Sequence, residues 1–258
     1  MARKRLIWVL IGFLVISAWV FGSANQSATA GEIKVISSVG MKAVLEALRP
    51  QFERTTGHTL AITFGTSVPL KRQIDTGETF DVVVLTPSIV EDLEKEGKVA
   101  PAMKADIAKS GLGVAIRKGS PKPDISTPEA LKRTLVNAKS IVYSKEGASG
   151  AYMAHLIERL GLVEEMKPKT VLETRAGHPP VAVVEGKAEL GFALISEILP
   201  IAEAEFAGAL PAELQDYVVF TAGIAPNAKD AEAAKAFINF FRTAAVLPVL
   251  KTKGMEPG

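Results

Sequence analysis

Leu60-Ala61-Ile62-Thr63-Phe64-Gly65-Thr66-Ser67-Val68-Pro69-Leu70-Lys71-Arg72-Gln73-Ile74-Asp75, followed five residues later by Phe80-Asp81-Val82-Val83-Val84-Leu85, is the stretch that decides the fold. Leu60 to Phe64 is rich in apolar and β-branched residues and predicts a strand. Leu70 to Asp75 changes to helical spacing. Asp81 to Leu85 is a near-continuous apolar run, the pattern of a strand covered on both faces. A strand, a short helix and a doubly buried strand make a β-α-β unit, which calls for a parallel sheet flanked by helices.

The same alternation extends in both directions. Upstream, Ile33 to Ser37 predicts a buried strand and Met41 to Thr55 a helix with Val44, Leu45, Leu48 and Phe52 on its apolar face. Gly57 is a stop signal for that helix, and Pro50 inside it is expected to kink or break it. Downstream, Ser88 to Gly97 predicts a helix with Ser88 as its cap and Glu91 in capping-box spacing. Strands follow at Leu112–Arg117, Ser140–Tyr143, Thr170–Glu173, Leu190–Leu194 and Tyr217–Ile224. Helices are expected at Pro128–Val136, capped by Thr127, and at Gly150–Leu160, Val181–Gly186 and Ala231–Arg242. The expected architecture is two α/β lobes, the first from 31 to 110 completed by 222 to 258, the second from 111 to 221. A cleft between lobes is a preferred ligand site.

The ends and the composition narrow the function. Arg3, Lys4 and Arg5 precede an apolar run from Leu6 to Gly22, and Ala28-Thr29-Ala30 closes the segment. This is the pattern of a signal peptide over residues 1–30, cleaved before Gly31, and it predicts a periplasmic protein. Cysteine is absent, which excludes disulfides, thiolate metal sites, a cysteine nucleophile and lipid attachment through an N-terminal cysteine. The net charge of +2 falls to −1 once the three leader cations are removed, leaving 27 basic and 28 acidic residues with no basic stripe, so nucleic acid is not an expected partner.

Enzyme signatures are missing: no G-x-S-x-G elbow, no S-x-x-K, no P-loop and no G-x-G-x-x-G after a strand. His58, His155 and His178 are far apart and none has a second ligand at helical spacing, so neither a metal nor a cofactor is expected. What recurs is a strand ending in small or hydroxylic residues just before a helix: Ser37-Ser38-Val39-Gly40, Gly65-Thr66-Ser67 and Gly147-Ala148-Ser149-Gly150. Unpaired N–H groups and partial positive charge at a helix start favour an anion, and small residues let it approach. The same residues are also what ordinary N-caps and turns use. Their threefold occurrence in an exported, two-lobed chain points to a bound small anion.

At these segments the chain resembles the molybdate-binding family of periplasmic solute-binding proteins, which serve ABC importers and have the two-lobed type II fold. The resemblance rests on Phe64 to Ile74, on Phe80-Asp81-Val82-Val83, on Ser149-Gly150-Ala151-Tyr152 and on Val184 to Gly191. It implies a tetrahedral oxyanion held by hydroxyls and backbone N–H groups, with Ser67, Ser149 and about Ala176 as donors, and delivery to a permease in the inner membrane; a monomer is the default for a freely diffusing binding protein, and the missing motifs argue against an enzyme. Two positions depart from the family pattern. Gly40 stands where a serine is usual, with Ser38 nearby, and Leu194 stands where a tyrosine is usual. The ligand therefore stays open between a molybdate-like or tungstate-like oxyanion and an organic carboxylate, for which Arg175 or His178 would supply charge. A sensory role is equally compatible with the sequence.

Overall fold

Three parallel strands, β1 (Glu32–Ser38), β2 (Thr59–Gly65) and β3 (Val82–Leu85), open the computed structural model, which describes residues 31–258. The predicted leader lies outside the described residues. β1 is central, pairing Ile36 with Thr63 of β2 and with Val83 of β3. All four residues of β3 are buried, as its unbroken apolar run requires.

Helices α1 (Lys42–Thr56), α2 (Ser67–Asp75) and α3 (Pro87–Lys95) connect and cover these strands. α1 ends on Gly57, whose φ of 78° is in the left-handed region and whose N–H reaches Glu53 O. α1 runs unbroken through Pro50, contrary to expectation. Pro50 and Glu46, whose carbonyl loses its partner, both lie on the exposed face, where the carbonyl is open to solvent. α3 begins earlier than predicted, with Thr86 rather than Ser88 at the N-cap position, because Pro87 fits the first helical position.

The largest departure from the sequence reading is β4, a 14-residue strand (Lys104–Arg117) where only Leu112–Arg117 was expected. Its first half pairs antiparallel with β9 (Tyr217–Ile224), and its second half with β7 (Leu190–Leu194) and β8 (Ala204–Ala209). β9 also pairs with β3, and β7 with β5 (Ile141–Ser144), which in turn carries β6 (Thr170–Glu173). The order is β2-β1-β3-β9-β4-β7-β5-β6, with β8 on the other side of β4. Helices α4 (Pro128–Asn137), α5 (Ala148–Arg159), α6 (Val163–Met166), α7 (Pro179–Val184) and α8 (Ile195–Ile198) accompany the second half of the order. α9 (Ala231–Phe240) and α10 (Leu247–Thr252) return to α1, where Phe52 meets Phe237 and Phe240 edge-on.

β4 thus belongs to two ladders, and the chain leaves the first at Gly111–Leu112. It returns between Leu210 and Tyr217, since residues 217–221, assigned to the second lobe from sequence, all pair with the first half of β4. At the outward crossing Gln215 stands in for a missing strand: its Oε1 accepts from Leu112 N and its Nε2 donates to Leu112 O, both at 2.9 Å.

Candidate functional site

The carboxyl ends of β1, β2, β3, β5 and β7 converge on one small cavity. Its wall includes Ser38, Thr66, Ser67, Thr86, Ser144, Ser149, Gly177, Leu194, Glu197 and Phe220. Open α/β sheets place ligands at this edge, because the helices that follow the strands start there.

The hydroxyls on this wall are not occupied as caps. Ser38, Thr66 and Thr86 each precede a helical segment, yet none makes a side-chain cap hydrogen bond. Away from the cavity, Thr127 and Asp230 do cap their helices, accepting from Ala130 N and Ala233 N. Ser67 Oγ accepts from Thr86 N at 3.2 Å, and Ser144 Oγ from Gly147 N at 2.9 Å, so each keeps its O–H for another acceptor. Ser149 is buried in the first turn of α5. That turn sits close against β5 only because residue 150 is glycine: a Cβ there would lie 1.7 Å from Ser144 O.

Of the residues singled out by sequence, the cavity collects Ser38, Ser67, Ser149 and Leu194. Gly40 is buried behind the wall, where its O accepts from Ser196 Oγ at 2.8 Å and a Cβ would meet Phe220 at 2.6 Å and Leu194 at 2.8 Å. The departures at 40 and 194 are therefore one packing solution, with Ser38 presenting the hydroxyl of this segment. Ala176 is exposed and off the wall; its neighbour Gly177, at φ 66°, lines the cavity instead.

Arg175 and His178 do not line the cavity. Arg175 grips the buried Glu173 at 2.7 Å, holding that carboxyl down to about 2, and also reaches Glu185 at 3.5 Å. His178 Nδ1 is buried without a hydrogen-bond partner among the described residues, 3.8 Å from Glu173 Oε2.

The wall holds no lysine, arginine or histidine. Its single titratable group is Glu197, in α8, one oxygen of which accepts from Leu194 N at 3.3 Å. Burial pushes this carboxyl up to about 7. Sequence reading missed it, although a glutamate three residues after a strand-to-helix junction is the spacing that returns a carboxylate to the backbone there. The cavity is small, about 20 Å³.

The family profile described as bacterial extracellular solute-binding protein matches residues 33–256. The chain belongs to that family. This solute-binding protein is 28% identical over 260 residues to an aconitate isomerase of a Pseudomonas species, covering 98% of this chain and 97% of the relative. It is 27% identical over 235 residues to the molybdate-binding protein ModA of Azotobacter vinelandii, covering 88% and 91%. The solved structure of the periplasmic molybdate-binding protein of Azotobacter vinelandii superposes with a TM-score of 0.75 at 23% identity, over 88% of this chain and 99% of that one, which shows the type II fold.

Proposed function

We propose that this solute-binding protein captures a small, fully oxygenated anion of the molybdate, tungstate or sulfate kind in the periplasm and delivers it to the permease of an ABC importer. One observation carries the reading. Ser38, Thr66 and Thr86 of the first lobe, none of which makes a cap hydrogen bond, and Ser144 and Ser149 of the second line a single small cavity with no cation on its wall. Neutral donors and helix starts disperse the charge of such an anion without an ion pair. The closed lobes then bury it, and the closed form is what a permease distinguishes from the empty one.

Calorimetric titration of residues 31–258 with molybdate, tungstate, sulfate, phosphate and cis-aconitate tests this. The reading expects saturable one-site binding of at least one tetrahedral oxyanion and none of cis-aconitate. Binding of cis-aconitate alone would replace it.

A second reading comes from the aconitate isomerase relative together with Glu197, a carboxyl near neutrality on the cavity wall. Such a group can take a proton from one carbon of an unsaturated carboxylate and return it to another. Proton NMR of cis-aconitate in deuterated water decides this directly. Conversion to the trans isomer with deuterium incorporation, lost in Glu197→Gln, supports an isomerase, whereas an unchanged spectrum leaves binding alone.

A further inference from the structure

Glu197 is an acid on the wall of a cavity built for negative charge. Its Oε2 is engaged by Leu194 N–H, while Oε1 takes no hydrogen bond among the described residues and lies 3.8 Å from where a side chain on Gly177 would begin. An ionised carboxylate in that place would repel any anion across a few ångströms of poorly hydrated space, where charges are weakly screened. A neutral carboxyl would do the opposite, adding an O–H donor to the ring of serine and threonine hydroxyls.

Among the described residues, nothing nearby is placed to neutralise the carboxylate instead. Of the charged residues on β4, Lys104 pairs with Glu94 at 2.5 Å, Asp106 accepts from Thr221 at 2.6 Å, Lys109 pairs with Glu256 at 3.4 Å, and Arg117 donates to Val184 O. On β8, Glu205 pairs with Lys122 at 3.1 Å. β7 and the turn Val39–Met41 carry no charged residue. Beside Gly177, Arg175 and His178 face Glu173, and Lys251 lines a separate groove with Tyr217 and Glu256. Glu197 is left to meet the anion with a proton or not at all.

We infer that Glu197 is a specificity-determining residue that binds in its neutral form and donates a hydrogen bond to the anion, so that capture of a dianion takes up one proton. The inference rests on the anion-binding reading above and adds its coupling to pH. The site then holds best a ligand with no proton of its own to donate, because the wall supplies donors at every charged contact. Burial of Glu197 sets the range in which this coupling acts, since half of the empty protein carries the proton near pH 7. Below that range affinity is flat, and above it each pH unit lowers the competent fraction tenfold.

The test is calorimetric titration of the protein (31–258) and of Glu197→Gln with molybdate and with sulfate, from pH 5.5 to 8.5, in buffers of differing ionisation enthalpy. Both probes are dianions throughout this range. The expected result is affinity falling about tenfold per pH unit above pH 7, with uptake approaching one proton per anion at pH 8. Glu197→Gln keeps a neutral donor of the same shape and is expected to bind with no pH dependence and no proton uptake. Flat affinity in the parent protein overturns the inference, and so does a slope that persists in Glu197→Gln, while either leaves the anion-binding reading standing. Failure of both anions to bind at any pH, in protein that still melts cooperatively, overturns the anion-binding reading and this inference with it.

Discussion

Ser67 shows how much one side chain is asked to do at this site. It is the first residue of α2, buried, and its Oγ already accepts from Thr86 N, so the hydroxyl proton points onward to an acceptor. Hydrogen bonds to charged groups contribute about 1.5–3 kcal/mol. Ser67→Ala is therefore expected to weaken anion binding roughly 10- to 100-fold, measured by calorimetry, with only a small loss of stability from the unpaired Thr86 N–H. Glu197 makes the opposite kind of contribution in the empty protein. Its native pKa is raised from 4.5 to about 7, so between those values the folded chain binds more protons than the unfolded one. Stability must then fall as pH rises through that window and level off above it. Each tenfold gain in proton affinity on folding corresponds to about 1.4 kcal/mol, so the expected loss is at most a few kcal/mol, and less because the Glu197 residue is only partly buried. Urea unfolding at pH 5 and pH 8 reads it, and Glu197→Gln should flatten the difference.

At the scale of elements, the parts legible in the sequence were those with a single environment. β3 is apolar throughout because both its faces are covered, and α1 shows its core stripe at Val44, Leu45, Leu48 and Phe52 because its other face meets water. β4 was half hidden because Lys104 to Gly111 mixes charged, small and apolar residues, as a strand changing partners and faces along its length does. β8, Ala-rich and half-buried, gives neither an alternating nor a continuous apolar signal. The candidate site was legible where it used Ser67 and Ser149 at helix starts. It was not legible at Thr86, Ser144, Gly177 and Glu197, whose role depends on which strand ends meet in space. The crossing at Leu112 is the same kind of feature, since a lone glutamine 103 residues away completes its ladder. Gln215→Leu keeps the bulk and removes both bonds. The expected cost is about 1–3 kcal/mol, a fall in Tm of about 2–4 °C for each kcal/mol, with faster hydrogen exchange at Leu112 than at its neighbours in β4.

For the whole molecule, apolar packing joins the lobes around α8, where Ile195 lies against Gly254 and Leu194 against Gly40, and a few polar contacts add to it across the cleft. Ser196 Oγ on α8 reaches Gly40 O on the first lobe near the crossing, and at the mouth Arg72 on α2 pairs with Glu146, just ahead of α5, at 3.1 Å. The Arg72 and Glu146 side chains are 59% and 42% exposed, so the pair is screened and bridges like it contribute up to about 1 kcal/mol. A weak latch fits the proposed carrier role, in which the lobes open without ligand and release it to a partner. The latch acts only in the closed form, so its contribution appears as a shift between open and closed populations rather than as a contact with the anion. Glu146→Gln should accordingly raise Kd for the proposed oxyanion by no more than about fivefold, mainly through faster dissociation, and the difference from the parent protein should shrink at about 0.5 M salt as screening weakens the pair in the parent. Stopped-flow dissociation at low and high salt makes the measurement. A loss much above fivefold would mean that Glu146 touches the ligand, and small-angle scattering of the empty and loaded forms would separate that case from an altered closure.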